Sequence, residues 1–487
     1  MPYDYDLIVI GGGPGGEKGA LEAARLGRRT LIVDRGRAPG GAAVHTGTIP
    51  SKTLRETALF LSGREQRETY GVNVSIDPTL FIPKLLSRKD LVRKLEVGRI
   101  LGSFGDSGVE YARGEASLRD AHTVVIRSEE HGSRVHSTAF ILIATGSAPF
   151  HPDTIPFEDP DIDDSDSILE IDRMPGSLVV LGGGVIGCEY ASMFAAMGVK
   201  VTLVDKKPEL LDFLDADMSE ALRVAFVDEG IDVRLTDGMK GCRREGDKIV
   251  VDLQSGGRIL TDKLLFAAGR VSNTKGLGLE EVGVELGVRG LVKVNEEFRT
   301  NVRSIFAAGD VIGFPALAST SMEQGRIAAQ AMCGVCEFPR PAAATILPYG
   351  IYTIPEVGCV GLSEEDAIAK GIEVIVGRGR FSENARAKIN GYTQGVVKLV
   401  FEKATRTIIG AHAIGDRATE LIHIGQLLVA FGASVDTAAA MVFNYPTLSE
   451  CFKDAALDAL GKFDPRLRPK PVTMRPSAPP PPEGSAP

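Results

Sequence analysis

Cysteine is scarce in this sequence, with six residues among 487. So few thiols, scattered along so long a chain, do not make a disulfide framework. Cys333 and Cys336 have the C-x-x-C spacing of redox and zinc motifs, but no second pair or histidine cluster accompanies them. We therefore interpret this pair as two small residues at the end of a helix. This cysteine content fits a reducing compartment, and we expect the cytoplasm.

An excess of positive charge is also missing, because 55 basic residues face 64 acidic ones and the formal net charge is −9. We therefore expect neither a nucleic acid nor an anionic membrane as partner. The longest apolar stretch, 178–204, contains Glu189 and Lys200 and is rich in glycine, so it is not predicted to span a membrane. The acidic residues 1–6 run straight into a predicted strand, so we expect no secretory signal.

Two glycine-rich turns are present, and each lies between a predicted strand and a predicted helix. The first turn is 11–16, and the strand after its helix is Thr30–Asp34. The second is 182–187, preceded by strand Ser177–Leu181 and followed by a helix to Met197 and strand Val201–Asp205. The first glycine and the acidic residue are separated by 34 − 11 = 23 residues in one unit and by 205 − 182 = 23 in the other. Equal spacing predicts two nucleotide-binding domains of one design.

The turns suit a dinucleotide because glycine lets the backbone approach the charged pyrophosphate closely. The helix that follows offers free N–H groups and the positive end of its dipole. Asp34 and Asp205 stand where an acidic residue accepts hydrogen bonds from the adenosine ribose. Six glycines are predicted to form the two cradles: Gly11, Gly13 and Gly16 in the first, and Gly182, Gly184 and Gly187 in the second.

Residues 40–52, Gly-Gly-Ala-Ala-Val-His-Thr-Gly-Thr-Ile-Pro-Ser-Lys, resemble the redox helix of the flavoprotein disulfide reductases, such as dihydrolipoamide dehydrogenase and glutathione reductase. In that family the fourth and ninth positions are cysteines, whereas here they are Ala43 and Thr48. Neither side chain can form a disulfide or relay electrons. The segment therefore resembles the scaffold of a thiol relay from which the thiols are missing.

This resemblance covers about residues 5–462 and implies FAD in the first unit and a nicotinamide nucleotide in the second. It places Lys52 beside flavin N5, Glu189 as its buried ion-pair partner and Asp310 at the ribityl chain. A helix beginning near Leu317 would direct its positive end at the flavin ring. A cation near N5 favours reduced flavin, and a buried lysine requires a counter-ion. The predicted catalytic residues are Lys52 and Glu189, and the predicted cofactor-binding residues are Gly11, Gly13, Gly16, Asp34, Arg35, Gly41, Thr48, Lys52, Thr145, Gly146, Gly182, Gly184, Gly187, Asp205, Gly269, Arg270, Gly309 and Asp310.

The base that serves the thiol in disulfide reductases is also replaced. Where that family has histidine before Pro-Thr, this sequence has Tyr445, and a phenol with a pKa near 10 is a poor base at neutral pH. Loss of both thiols and their base together resembles the soluble pyridine nucleotide transhydrogenases. That group shares five segments with this chain: 45–52, 184–192, 350–356, 422–425 and 443–447. Ala43 is a departure, since the group usually has a single cysteine there.

The resemblance implies transfer of a hydride from NADPH through FAD to NAD⁺ at one nicotinamide site, with ping-pong kinetics. It also implies one FAD per subunit, with NADP(H) and NAD(H) as substrates, in a homodimer or larger homo-oligomer. One alternative is an NAD(P)H dehydrogenase that passes electrons to a quinone or dye. A further alternative is a non-catalytic flavoprotein that senses NAD(P)H.

The sequence does not decide between NAD and NADP as the preferred nucleotide. Asp205 favours NAD, whereas Lys206 and Lys207 can pair with the 2′-phosphate of NADP. His45 is predicted to have a packing or hydrogen-bonding role, and His412 and His423 to be core or interface residues.

The sequence predicts an α/β fold with two Rossmann-like domains, for FAD and NAD(P), and a C-terminal α+β dimerisation domain. Further short strands are predicted at 266–270 and 305–310, and an antiparallel meander with two helices after about residue 344. The predicted boundaries are 1–150 and 272–343 for the two parts of the FAD domain, 151–271 for the NAD(P) domain, 344–463 for the dimerisation domain, and 464–487 for a disordered, Pro-rich tail.

Overall fold

The structure is a computed structural model that describes residues 3–63, 70–72, 78–335 and 346–467. Its strands within these ranges are, in chain order, β1 (Tyr5–Ile10), β2 (Thr30–Asp34), β3 (Glu110–Arg113), β4 (Glu115–Asp120), β5 (Thr123–Ser128), β6 (Gly132–Ile143), β7 (Ser147–Pro149), β8 (Ile162–Asp164), β9 (Ser177–Leu181), β10 (Lys200–Val204), β11 (Asp232–Arg234), β12 (Met239–Glu245), β13 (Lys248–Leu253), β14 (Arg258–Thr261), β15 (Lys263–Phe266), β16 (Arg270–Ser272), β17 (Ile305–Ala307), β18 (Tyr349–Ile351), β19 (Glu356–Gly361), β20 (Val374–Arg380), β21 (Val396–Glu402) and β22 (Ile408–Gly415).

The α-helices of the same ranges are, in chain order, α1 (Pro14–Arg25), α2 (Gly41–His45), α3 (Thr48–Ser62), α4 (Pro78–Ser107), α5 (Val185–Ala196), α6 (Ala216–Asp228), α7 (Ala318–Met332), α8 (Glu364–Ala369), α9 (Ala385–Asn390), α10 (Ala418–Ala430), α11 (Val435–Ala440) and α12 (Glu450–Phe463). None of the helices described is both long enough and apolar enough to cross a bilayer.

The first sheet has the strand order β3-β2-β1-β6-β5-β4, with β17 paired to β6. Strands β1, β2, β3, β6 and β17 pair in parallel. Strands β1 and β2 are largely buried apolar runs, as expected for parallel strands covered on both faces, whereas β3 at the edge is partly exposed. Ile8 and Val9 at its centre are fully buried. Helix α1 packs against α7 so closely that a Cβ on Gly325 would lie 2.0 Å from the carbonyl oxygen of Gly15.

The second sheet repeats this arrangement with the order β11-β10-β9-β15-β8, and all its pairs are parallel. Helix α5 follows β9, just as α1 follows β1, and both helices have 12 residues. A small antiparallel sheet, β12-β13-β14, follows, and the pair β7–β16 joins the two large units. The two βαβ units predicted from the sequence are therefore present in the structure.

The C-terminal sheet is antiparallel throughout, in the order β18-β19-β22-β21-β20. Helix α12 lies on β20, where a Cβ on Gly377 would lie 1.9 Å from the carbonyl oxygen of Ala455. Buried Lys398 of β21 ties this sheet to the second unit, since its Nζ lies 3.1 Å from Asp215 and 2.8 Å from Asp217. Burial lowers the pKa of His412, beside Asp215, to about 4. His412 is therefore a neutral core residue, as predicted.

Three predicted elements differ from the structure. The strand predicted at 305–310 ends at Ala307, and Asp310 begins a 3₁₀ turn. The strand predicted at 266–270 is wrong, because β15 ends at Phe266 and the chain then turns below the second glycine loop. The carbonyl oxygen of Ala267 would lie 2.8 Å from a Cβ on Gly182, so this apolar run supports the loop instead of extending the sheet. In the predicted tail, Pro465–Leu467 forms a 3₁₀ turn. Residues 468–487, and Cys336 of the C-x-x-C pair, lie outside the described residues.

Candidate active site

A cleft of about 1500 Å³ runs between the first unit, the α2–α3 segment, the start of α5 and residues 348–352. This exceeds the usual size of a small-ligand pocket, roughly 300–1,000 Å³, and suits a dinucleotide. The predicted site residues that line it are Gly11, Gly13, Asp34, Arg35, Gly41, Thr48, Lys52, Thr145, Gly146, Glu189, Arg270, Gly309 and Asp310. The predicted residues that do not line it are Gly16, Gly182, Gly184, Gly187, Asp205 and Gly269.

The first glycine turn has the geometry of a phosphate cradle. Gly11 has a φ of +108°, which side-chain-bearing residues rarely adopt. A Cβ on Gly16 would lie 1.9 Å from the carbonyl oxygen of Gly11, so the helix can follow the strand only with glycine there. The Asp34 carboxylate accepts hydrogen bonds from the N–H groups of Gly12 and Gly36, both at 2.6 Å. These bonds fix the carboxylate at the edge of the cleft.

The second turn repeats these features residue by residue. Gly182 has a φ of +116°, and a Cβ on Gly187 would lie 1.8 Å from the carbonyl oxygen of Gly182. The Asp205 carboxylate accepts from the N–H of Gly183 and, at 2.8 Å, from the N–H of Lys207. This turn lies outside the large cleft, but α5, which follows it, contributes Val185, Ile186, Glu189 and Tyr190 to the lining.

Two observations support bound ligands at these turns. A Cβ built on Gly184 meets nothing within 4 Å, and one on Gly13 meets only Gly41, at 3.7 Å. Packing within the chain therefore does not require glycine at either position, whereas close approach of a pyrophosphate does. Thr145 in the cleft has a buried hydroxyl without a hydrogen-bond partner, and such a group normally finds one. The residues present therefore fit a dinucleotide in the cleft.

Asp310 anchors a small polar network on the opposite wall. It starts the 3₁₀ turn Asp310–Ile312 and accepts a hydrogen bond from the Ser147 hydroxyl at 2.8 Å. Arg270 donates to that hydroxyl at 2.8 Å and to the Ser147 carbonyl at 2.9 Å. Leu317, Ala318, Ser319 and Ser321, at the start of α7, also line the cleft. The positive end of α7 therefore faces the cleft.

Lys52 and Glu189 form an ion pair inside the cleft. The Lys52 Nζ lies 2.9 Å and 2.7 Å from the two carboxylate oxygens of Glu189. The Glu189 side chain is 10% exposed and that of Lys52 25% exposed. Lysine and glutamate are usually solvated surface charges, but these two side chains are paired and mostly buried. A cation is thus held in a mostly buried site, where its electrostatic effect on a neighbouring group is large.

The α2–α3 segment carries no thiol at the two positions that resemble the redox pair. Ala43 lies in α2 and Thr48 begins α3, and both line the cleft. His45 Nε2 lies 3.1 Å from the carbonyl oxygen of Ala38 and 3.0 Å from that of Pro39. Carbonyl oxygens only accept, so Nε2 is the donor. His45 therefore holds the preceding loop, in agreement with its predicted hydrogen-bonding role.

The described cysteines lie outside the cleft. None of Cys188, Cys242, Cys333, Cys359 and Cys451 lines the cleft. Burial raises the pKa of the Cys188 thiol, and it raises those of Cys242, Cys359 and Cys451 to about 11, 12 and 12. Reactive thiols have lowered pKa values. In the described part of the chain, sulfur is therefore not placed to relay electrons.

The two lysines after Asp205 differ in their surroundings. Lys207 Nζ is paired with Asp212 at 2.6 Å. The Lys206 stem lies over Gly238, where a Cβ would be 2.6 Å from Lys206 Cε, and no ion pair of Lys206 occurs within the described ranges. Lys206 is therefore the lysine with a charge available for a 2′-phosphate.

Tyr445 is 71% exposed, next to Val442 at 91%. Thr447 of the same segment donates its hydroxyl proton to the carbonyl of Asn444 at 2.8 Å. Exposed apolar side chains grouped in this way are typical of surfaces that bind another protein. His423 of α10 is exposed and lines the cleft, so it is not a core residue.

Sequence reasoning missed Tyr352 and Asp166. Tyr352 lines the cleft beside the ion pair, and its segment, 350–356, was recognised without a role for this side chain. Burial raises the pKa of Asp166, which also lines the cleft. An acidic residue outside any recognised motif gives no sequence signal, because its place in the cleft depends on how the two units meet.

Comparison with known families decides the relationship. The profile described as "Pyridine nucleotide-disulphide oxidoreductase" matches residues 5–325, and the dimerisation domain of the same family matches residues 347–456. This chain belongs to the pyridine nucleotide-disulphide oxidoreductase family. The family uses FAD as cofactor and NAD(P)H as substrate, which fits the cleft and the two glycine turns.

The curated relatives match this chain over nearly their whole length. A soluble pyridine nucleotide transhydrogenase of Mycobacterium tuberculosis (strain ATCC 25177 / H37Ra) is 41% identical over 461 residues, 94% of this chain and 98% of its own. Another of that name, from Pectobacterium atrosepticum, is 40% identical over 467 residues, 95% and 98% of the two chains. The resemblance seen in the sequence is therefore confirmed.

Solved structures agree on the architecture. LpdA from Mycobacterium tuberculosis has a TM-score of 0.84 at 28% identity, covering 92% of this chain and 98% of its own. The HOCl-induced flavoprotein disulfide reductase RclA from Escherichia coli has a TM-score of 0.83 at 26% identity, covering 93% and 99%. The predicted fold class is confirmed. The domain boundaries and individual site residues stay predictions.

Proposed function

We propose that this chain is an FAD-dependent NAD(P)⁺ transhydrogenase that catalyses NADPH + NAD⁺ → NADP⁺ + NADH reversibly and without a redox disulfide. One observation carries the proposal. Ala43 and Thr48 line the cleft where the related reductases have cysteines, while the Lys52–Glu189 pair beside them is intact. Such a site keeps what tunes a flavin and lacks what reduces a disulfide. The names of the relatives that are about 40% identical support the same reading.

FAD, when bound, supplies the two-electron chemistry. In the proposal the first glycine turn and the α1 N-terminus bind its pyrophosphate, Asp34 its adenosine ribose, and Asp310 its ribityl chain. The first turn of α7 stabilises negative charge on the reduced ring. Arg35, Gly41, Thr48, Thr145, Gly146 and Gly309 complete the wall of this site.

The second unit binds the nicotinamide nucleotide in this proposal. Gly182, Gly184 and Gly187 cradle its pyrophosphate, and Asp205 accepts from the ribose hydroxyls. Helix α5 then leads from this turn to Glu189 in the cleft, so the same element orients the nucleotide and holds Lys52. Gly269 and Arg270 lie at the junction of the two units. NADPH and NAD⁺ use this one site in turn, which requires ping-pong kinetics.

Two copies of the chain are expected to associate through the C-terminal domain, in a homodimer or larger homo-oligomer, and a cytoplasmic location is expected. The match to a dimerisation domain and the exposed Val442 and Tyr445 support the association.

The experiment that tests the proposal separates the two half-reactions. The purified enzyme is reduced anaerobically with NADPH, and a chromophoric NAD⁺ analogue or a quinone is then added. Reoxidation of bound FAD by the NAD⁺ analogue, with formation of its reduced form, is expected. Reoxidation by the quinone alone would establish the NAD(P)H dehydrogenase, and failure of NADPH to reduce FAD would favour the sensor.

A further inference from the structure

Three separate parts of the chain meet at the Lys52–Glu189 pair. Helix α3 carries Lys52, α5 carries Glu189, and the residue that follows β18 is Tyr352. The backbone N–H of Tyr352 donates to Glu189 Oε1 at 3.0 Å. The Lys52 Nζ lies 4.9 Å from the centre of the Tyr352 ring. The pair thus has a third member, which the C-terminal part of the chain contributes.

The backbone at Tyr352 is held by the same two helices. The Thr353 carbonyl accepts from Arg55 Nε at 3.3 Å and Nη2 at 3.1 Å, and Arg55 lies on α3. The Ile354 N–H donates to the Ser192 hydroxyl of α5 at 3.1 Å. Because neither contact uses the Tyr352 side chain, replacing the ring leaves the N–H that binds Glu189 in place.

The ring makes its own contribution to the site. Its face carries partial negative charge, and it stabilises an ammonium within about 6 Å of its centre, most strongly where water is excluded. Burial raises the pKa of the Tyr352 phenol, so the ring is neutral at physiological pH. It lines the cleft, and it lies within cation–π range of Nζ in addition to the ion pair that Nζ makes with Glu189.

We propose that Tyr352 is a positioning residue for the flavin-tuning cation. Its backbone fixes the Glu189 carboxylate, and its ring holds the Lys52 ammonium at the cleft. Without the ring, the ammonium turns towards water and its charge stabilises reduced FAD less. The inference rests on the proposed function only in requiring FAD in the cleft, and not on which acceptor takes the electrons.

The test compares Tyr352→Leu, which removes the ring, with Tyr352→Phe, which keeps it. Tyr349→Leu is the matched control, because the Tyr349 ring packs against Phe213 and Phe314. The midpoint potential of bound FAD is measured by anaerobic titration without nucleotide. The rate constant of reduction by NADPH and the Kd of NADPH are then measured separately.

Tyr352→Leu is expected to make the midpoint potential more negative and to slow reduction about tenfold, the size of a cation–π contact in a dry site. The Kd of NADPH is expected to stay within about twofold. Tyr352→Phe is expected to keep the midpoint potential of the wild-type enzyme, and Tyr349→Leu is expected to leave that potential unchanged. If Tyr352→Leu does not hold FAD, Tyr352→Met fills the volume without a ring and carries the same expectation.

An unchanged potential in Tyr352→Leu or Tyr352→Met would overturn the inference. So would a shift in Tyr352→Phe equal to that in Tyr352→Leu, because the hydroxyl would then be responsible. Failure of NAD⁺ to reoxidise the wild-type enzyme would refute the proposed function and leave the Tyr352 potentials interpretable.

Discussion

The two glycine-loop units share their backbone geometry and differ in their surroundings. Gly11 and Gly182 have φ values of +108° and +116°, and a Cβ on Gly16 or Gly187 would lie 1.9 Å or 1.8 Å from a carbonyl oxygen. The first turn, however, is enclosed in the large cleft, whereas the second lies outside it. In the proposed function, the same phosphate cradle binds a retained cofactor in the first unit and an exchanging substrate in the second.

The helices after the two turns also differ in what they pack against. Helix α1 meets α7 through backbone contact at Gly15 and Gly325, which leaves no room for side chains. Helix α5 instead presents Val185, Ile186 and Glu189 to the cleft. In the proposed function, α1 helps to bind the pyrophosphate of FAD, whereas α5 contributes side chains to the cleft. This difference predicts that equivalent substitutions in the two units have different consequences.

The largest effects are expected from Gly16→Ala and Gly187→Ala. Each Cβ would collide with backbone, so each turn must shift and its ligand is expected to bind at least about a hundredfold more weakly. Gly16→Ala is expected to yield protein without FAD, judged by its visible absorbance. The Gly187→Ala variant is expected to retain FAD, and so to be yellow, but NADPH is expected to reduce that FAD poorly. Equal loss of FAD in both variants would contradict the expectation that only the first turn binds FAD.

Lys52→Met is expected to have the next largest effect, because it removes a charge from a mostly buried site where one unit charge acts strongly. Reduction of FAD by NADPH should slow about a hundredfold, as measured by anaerobic stopped flow. Glu189→Gln should also slow it, and the double variant should be no slower than Lys52→Met, since the two residues act as one pair. Additive losses would contradict the pairing.

Asp205→Ala tests the predicted ribose contact of the second unit, directly after β10. Loss of a charged hydrogen bond of roughly 1.5–3 kcal/mol should weaken NAD binding about ten- to a hundredfold. NADP should be affected less, because the carboxylate repels its 2′-phosphate. Titration of each nucleotide into the oxidised enzyme gives both dissociation constants. Equal weakening would mean that Asp205 is not at the ribose.

Lys206→Ala and Lys207→Ala form a matched pair with a smaller expected effect. Lys207 is already paired with Asp212, whereas Lys206 has no ion pair within the described residues. Lys206→Ala should therefore weaken NADP binding about threefold, which is the effect expected of an exposed ion pair, and leave NAD binding unchanged. Lys207→Ala should alter the NADP dissociation constant less than Lys206→Ala does. A larger effect in Lys207→Ala would reverse this assignment.

Much of the repeated design could be predicted from the sequence, because strand, glycine turn and helix are local patterns. Strands Thr30–Asp34 and Ser177–Leu181 were predicted with the bounds that the structure has. The run at 266–270 was predicted wrongly, because its apolar residues support a glycine loop and not a sheet. Local apolarity does not distinguish these two kinds of burial.

The site was only partly predictable for a related reason. Lys52 and Glu189 were recognised through the family resemblance, but Tyr352 contacts a residue 163 positions away in the sequence. The difference between Lys206 and Lys207 depends on Asp212 and Gly238, which the spacing of the motif does not include. The contacts of Tyr352 with Glu189 and of Lys206 with Gly238 follow from tertiary packing.

Initial rates measured after treatment with a thiol-blocking reagent test the central claim most directly. The claim is that bound FAD passes electrons between two nucleotides at one site without sulfur. The treated enzyme should keep full activity, and reciprocal plots against NAD⁺ at several NADPH concentrations should be parallel. Inactivation by the reagent, intersecting plots, or turnover of lipoamide or glutathione would contradict the claim.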